Sequence, residues 1–226
     1  MKSRITIIFT SLVVFIVFIA APLMAEPVQS LVLPGIGTVS VSQVKTETFD
    51  NPDAWERYSG ASGDELGVEK GVYRASTPNP GYIWGLNQQE QTDVVTDVEV
   101  TPLTPFTDNG AGVMCRADTS DNGNGYYFMV NANGYYSIQI GTDNGIAPLI
   151  DWSPSKAVHQ GIDVNTIRAV CIADHLAMYV NNTLVASFTD DTYSSGYAGL
   201  AVAAGNHGAD MSFDNLTLYT IQKQHK

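Results

Sequence analysis

From Thr46 onward the chain shows no sustained helical period, only short alternating segments cut by clusters of Asn, Asp and Gly. The punctuation falls at Asn79-Pro80-Gly81, Asp121-Asn122-Gly123, Asn133-Gly134, Asp143-Asn144-Gly145 and Asn181-Asn182. Such residues adopt the tight turns that reverse a strand, and strands at this spacing make a sandwich or barrel. Side chains alternate across a strand, so parity sorts each segment into two faces. Val94, Thr96, Val98 and Val100 are expected in the core, opposite Asp93, Asp97 and Glu99. The same rule places Tyr136, Ile138 and Ile140 inside, with Val113, Cys115 and Ala117, and Ile167, Ala169 and Cys171. A short stretch at Ser155–Gln160 is the one helical candidate.

The first 25 residues are set apart. Lys2 and Arg4 precede an almost unbroken apolar run from Ile5 to Ala21, and Ala25 stands before Glu26. This is the pattern of an export signal, long enough to serve instead as an uncleaved anchor. Residues 26–45, with Pro27, Pro34, Gly35 and Gly37, read as a linker or a first strand. Residues 46–222 read as one domain, since some 200 residues bury one substantial core. The protein is then extracytoplasmic, secreted or held at the cell envelope, and meets a membrane only through its N-terminal segment.

Charge narrows the partners. The formal net charge is −12; without Lys2 and Arg4, nine basic residues face 23 acidic ones and the charge is −14. Phosphates are repelled by such a surface, which argues against nucleic acid. The two cysteines, Cys115 and Cys171, both lie in the exported part and on apolar strand faces. In an oxidising compartment they are expected to form one disulfide. If they face each other on neighbouring antiparallel strands, Asp118 meets Arg168 and Arg116 is left free for a ligand. The competing arrangement carries the bridge through the core from one sheet to the other.

The ordered pieces FDNPDAWERYSG, VEKGVYRA, AGVMCRADTSDNGNGYYFMVNANGYYSIQI, NTIRAVCIADHLAMYVNNTLVASFTD, GYAGLAVAAG and MSFDNLTLY resemble the concanavalin A-like lectin/glucanase jelly rolls. Among these the sequence is similar to secreted bacterial modules of the laminin-G-like and 3-keto-disaccharide hydrolase-like kinds, over nearly all of 46–221. The resemblance implies an all-β, two-sheet antiparallel jelly-roll sandwich with one concave sheet, and ligands on that face or along an edge. It implies that Trp55 packs under the first strand. It also implies a structural calcium between first and last strands, for which Asp214, with Glu47 or Asp50, supplies hard oxygen donors. The plain alternative is that Asp50 and Asp214 hydrogen-bond neighbouring amides.

The chemistry favours binding over catalysis. Glucanases of this superfamily carry Glu-x-Asp-x-x-Glu on a concave strand, where alternation gathers carboxylates on one face. The sequence holds only Asp97-Val98-Glu99, which reads as a solvated outer face, and no catalytic residue is assigned. Aromatic rings are plentiful, with eleven tyrosines and three tryptophans. Rings stack on the C–H faces of sugars while amides and guanidinium groups read hydroxyls. Tyr82 and Trp84, beside Asn87, Gln88 and Gln89, are the leading ligand-binding candidates, with Arg116 and Tyr135. Parity turns Tyr82 and Trp84 outward if Ile83 is core. The expected function is therefore an exported module that binds a glycan or cell-surface polysaccharide. A glycoside-acting hydrolase and an adhesive protein–protein module are the alternatives.

Overall fold

The computed structural model describes residues 29–120 and 122–222. The leader expected at residues 1–25 lies outside them. Among the described residues there are sixteen strands and no helix. In chain order they are β1 (Gln29–Leu33), β2 (Gly37–Glu47), β3 (Tyr58–Ser59), β4 (Glu65–Glu69), β5 (Val72–Thr77), β6 (Gly81–Gln91), β7 (Val94–Pro102) and β8 (Gly110–Ala117). Then come β9 (Gly125–Asn131), β10 (Tyr135–Thr142), β11 (Gly145–Pro154), β12 (Asn165–Ile172), β13 (His175–Val180), β14 (Thr183–Thr189), β15 (Gly196–Ala204) and β16 (Ala209–Ile221). The helical candidate at Ser155–Gln160 is a single turn closed by Val158 N–H donating to Ser155 O, with Val158 buried. One buried valine gives a turn an anchor, but four or five residues are too few to sustain a helix.

Two antiparallel sheets lie face to face. The larger runs β14-β13-β12-β7-β16-β5-β4-β3, with β2 on the other half of β16 and β1 on β2; the smaller runs β11-β10-β9-β8-β15-β6. Their inner faces share one apolar layer that includes Val98, Val113, Phe128, Ile138, Ile167 and Phe213. The parity assignments of β7, β10 and β12 hold throughout, and Trp55 joins Phe49 and Tyr73 at one side of this layer.

Cys115 on β8 and Cys171 on β12 are bonded, with Cα atoms 6.8 Å apart. The disulfide therefore ties one sheet to the other through the core. β12 pairs with β7 and β13, not with β8, so Asp118 does not meet Arg168. Arg168 instead makes a two-pronged contact with Asp97 of β7, at 2.6 and 2.7 Å. That contact occupies one member of the Asp97-Glu99 pair, and Glu99 accepts from Asn215 Nδ2. Both carboxylates belong to the larger sheet.

The segment expected as a linker or first strand forms, from Gln29, a β-hairpin of the larger sheet. β2 pairs with β16, while Pro34 at the hairpin tip accepts from the Tyr179 hydroxyl on β13, 2.7 Å away. These partners stand four strand positions apart, about 19 Å at the usual spacing. The hairpin must therefore cross the outer face. Leu33 and Val41 cover Val95, Val170, Ala177 and Tyr179, which alternation alone would leave in water. Burying apolar surface on both faces of these strands is what turns a sequence that reads as spacer into a third layer.

Two outcomes follow for stability. The disulfide closes a separation of 56 residues, which a chain-entropy argument equates with about 4 kcal/mol. Chemical denaturation of the Cys115→Ala/Cys171→Ala protein should show a loss of that order. Leu33 is completely buried under the hairpin, so Leu33→Ala should cost about 2–4 kcal/mol. An unchanged denaturation midpoint would mean that the hairpin does not hold the outer face.

Candidate functional site

The outer face of the smaller sheet is strongly curved. Tyr82 on β6 donates its hydroxyl to Gln139 Oε1 on β10 at 2.8 Å. Four strand positions separate them in the pairing order. A flat sheet would hold these backbones about 19 Å apart, beyond the reach of the two side chains together. The face between them is thus concave. Its floor is Met114, Met129 and Ala201, with Tyr127, Tyr82, Trp84 and Trp152 laid over it.

The rings are pinned. Tyr82 meets Tyr127 edge to face, with centroids 5.9 Å apart. Tyr127 donates to the Gly123 carbonyl at 2.6 Å. Gly123, at φ +77°, must stay bare, because a Cβ there would stand 3.0 Å from the Tyr127 hydroxyl and 3.3 Å from the Trp84 ring. Burial raises the pKa of the Tyr82 phenol, opposed by its bond to Gln139, and burial raises that of Tyr127 further. Both phenols therefore stay protonated and act as donors at neutral pH.

The expected ligand-binding residues are placed as follows. Ile83 packs into the core, while Tyr82 and Trp84 sit half-buried on the concave face. They are lowered onto the sheet rather than standing free as two open platforms. Tyr135, 37% exposed, shares parity with Ser137 and Gln139 at the far end of β10. Arg116 is not available to a ligand, because its side chain is only 1% exposed. The cause is a bulge: three steps on β8, from Met114 to Ala117, match two on β15, from Gly199 to Tyr197. The extra residue puts Arg116 at φ +53° and reverses the parity beyond it, so Ala117 joins the concave face instead of the core. The guanidinium then donates to Thr92 O at 3.2 Å and Tyr193 O at 2.8 Å, with Asp93 3.5 Å away. Burial lowers its pKa, and Asp93 opposes that shift. Arg116 is a tether between the β6–β7 turn and the β14–β15 loop.

The expected calcium donors do not converge. Asp50 is exposed and accepts from the Thr48 hydroxyl at 2.7 Å, and Asp214 accepts from the Asn215 backbone N–H at 2.7 Å. Glu47 is buried beside Lys45, 3.8 Å away. Among the described residues no three acidic, histidine or cysteine side chains gather closely enough to hold a metal ion.

Parity could not find a cleft of about 360 Å³ at the β6 edge, lined by Glu56, Leu86, Asn87, Gln88, Thr119 and Tyr197. It exists because the Trp55–Glu56 segment lies along the free edge of β6. Trp55 bridges to Asn87, Glu56 N–H donates to Leu86 O at 3.0 Å, and Glu56 Oε2 accepts from Leu86 N–H at 3.1 Å. The amide run Asn87–Gln89 was the sequence signal for it. The strands that form the middle of the concave face, β8, β9, β10 and β15, contain no Asp or Glu.

A curved six-stranded sheet backed by a larger one, with aromatic side chains on its open face, defines a concanavalin A-like jelly roll. The sequence matches the 3-keto-alpha-glucoside-1,2-lyase-like domain over residues 45–219, and the chain belongs to that family. No curated protein matches it in sequence. In structure it is similar to the carbohydrate-binding module CBM66 from Bacillus subtilis, at 19% identity and TM-score 0.55, over 75% of this chain and 97% of that one. It is similar to the Bacillus licheniformis β-glucanase at 14% identity and TM-score 0.54, over 79% and 98%. The calcium-bound exoplasmic/lumenal domain of VIP36 matches at 11% identity and TM-score 0.59, over 80% and 91%. At these identities the likeness is one of fold.

Replacing Arg116 by Ala would leave two carbonyls without their common donor and Asp93 without its ionic partner. Arg116→Ala should therefore lower unfolding free energy by about 3 kcal/mol, read by urea denaturation. A loss under about 0.5 kcal/mol, the size of an ordinary surface change, would remove its tethering role.

Proposed function

We propose that this protein is an exported carbohydrate-binding module that takes a glycan along β6, on the concave face, without cleaving it. The observation that carries this reading is the composition of that face. Rings, amides and methionines occupy the four middle strands, where glycoside cleavage would need a facing pair of carboxylates. Trp84 offers a half-buried ring on β6, and the cleft at Leu86, two residues along the strand, supplies Gln88, Thr119 and Glu56 to meet hydroxyls. Tyr82 and Tyr135 extend the same face toward the other end. The relatives support the class: one is a carbohydrate-binding module and another a β-glucanase. A disulfide through the core suits life outside the cytoplasm, with the N-terminal segment as signal or anchor.

The family match favours one second reading, an enzyme acting on glycosides through the same groove. Product release separates the two. A glycan that binds and is recovered unchanged after long incubation supports the module, and a shortened or unsaturated product supports the enzyme.

Binding of residues 26–226 to a glycan array tests the proposal. Trp84→Ala should weaken binding about tenfold, the loss expected for one stacked ring at 1–2 kcal/mol, with its circular dichroism spectrum unchanged. An array on which the intact domain binds nothing would sink the carbohydrate reading.

A further inference from the structure

Where the N-terminal hairpin stops covering the larger sheet, it leaves a cavity of about 550 Å³ whose lining is mostly apolar. Val39 on the hairpin, Ile172 on β12 and Ile221 at the end of β16 line it, and all three belong to the layer that the hairpin buries. Bonds between segments far apart in sequence hold its frame. Asp93 Oδ1 accepts from the Ala173 N–H at 2.7 Å, and Asp93 O accepts from the Ile221 N–H at 3.0 Å. The Asp190 N–H donates to Asp174 O at 2.9 Å, which joins the β14–β15 loop to the β12–β13 turn. Arg116 ties Thr92 to Tyr193, and both of these line the cavity. The cavity is therefore formed before anything enters it. Its size is that of a small-molecule site rather than of a protein interface.

Its charge is one-sided. Asp93, Asp174 and Asp191 line it, and no basic side chain does. Asp93, the least exposed of the three, already faces Arg116 at 3.5 Å. Asp174 and Asp191 are exposed, and among the described residues neither is paired with a basic side chain. Half-buried apolar walls with exposed carboxylates beside them are complementary to an amphiphilic cation. Its hydrocarbon leaves water against Val39, Ile172 and Ile221, while its charge stays in the solvated mouth near Asp174 and Asp191. A neutral amphiphile meets only the first of these demands. An anion is repelled by the three carboxylates and by the net negative charge of the whole protein. We infer that this cavity binds a small organic amine in its ammonium form, apolar body inward and charge at the mouth. The site lies on the other sheet from the glycan face and does not rest on the carbohydrate reading.

The test is an amide NMR titration of residues 26–226 with three probes of one length, hexylammonium, hexan-1-ol and hexanoate. Hexylammonium should shift the amides of Val39, Ala173, Asp174 and Ile221 to saturation. Hexan-1-ol should bind the same place about tenfold more weakly, and hexanoate should not saturate. Asp174→Asn/Asp191→Asn should bring hexylammonium down to the affinity of hexan-1-ol and leave hexan-1-ol unchanged. Should that variant fail to fold, the unaltered domain decides the matter, because added sodium chloride must weaken hexylammonium and spare the alcohol. Equal binding of the ammonium and the alcohol, no saturation by hexylammonium, or shifts that fall elsewhere on the domain would overturn the inference. So would binding that appears only in Lys223→Gln/Lys226→Gln, since the chain's own lysines would then be the occupants.

Discussion

The apposition of two sheets across a single apolar layer is the constraint on which the remaining features depend. Neither sheet has enough polar surface to stand alone, and the layer containing Val113, Phe128, Ile167 and Phe213 removes the inner face of both from water. Cys115 and Cys171 sit in that layer on opposite sheets, so their bond restrains the distance between sheets rather than the register within one. The bulge beside Cys115 follows from the same place. With the cysteine held inward, the extra residue turns Arg116 to the sheet end, where it joins two loops.

With the shared layer satisfied, each sheet still has an outer face, and the two are treated differently. The larger sheet is covered from outside by the N-terminal hairpin, whose tip reaches Tyr179 across the strands. The smaller sheet covers itself by curling until Tyr82 touches Gln139 and the rings lie over methionine and alanine. Curvature is therefore the means by which large aromatic side chains are partly dried without a further layer of chain. It also leaves a groove that brings apolar surface and hydrogen-bonding groups together.

This division bears on function within the family. A fold shared by binding modules and glycoside-cleaving enzymes does not choose between them. The choice lies in what the concave strands project. Here the nearest approach to a carboxylate pair on one strand, Asp97 and Glu99, is in the other sheet and is tied up by Arg168 and Asn215. The groups near the groove are a ring at Trp84, amides at Asn87 and Gln88, and one carboxylate at Glu56 along the β6 edge.

Local rules were enough for much of this. Alternation and turn chemistry determined the all-β class, the inner faces of β7, β10 and β12, the outward turn of Tyr82 and Trp84 about Ile83, and two cysteines in the core, because each depends only on period-two geometry and burial. What they left undecided depends on partners distant in sequence. Whether the disulfide joined neighbours or sheets was a matter of which strand lies opposite β8. Arg116 is polar and lies next to an inward cysteine, so parity turned it outward; a one-residue bulge against β15 reversed that, and nothing near position 116 announces a bulge. Residues 26–45 read as a linker or a first strand, and that choice stays open until the outer face of β12 and β13 is known to need a cover. The cleft at Asn87 exists because Trp55 and Glu56, some thirty positions earlier, close the β6 edge. Only the tertiary structure brings those two segments together.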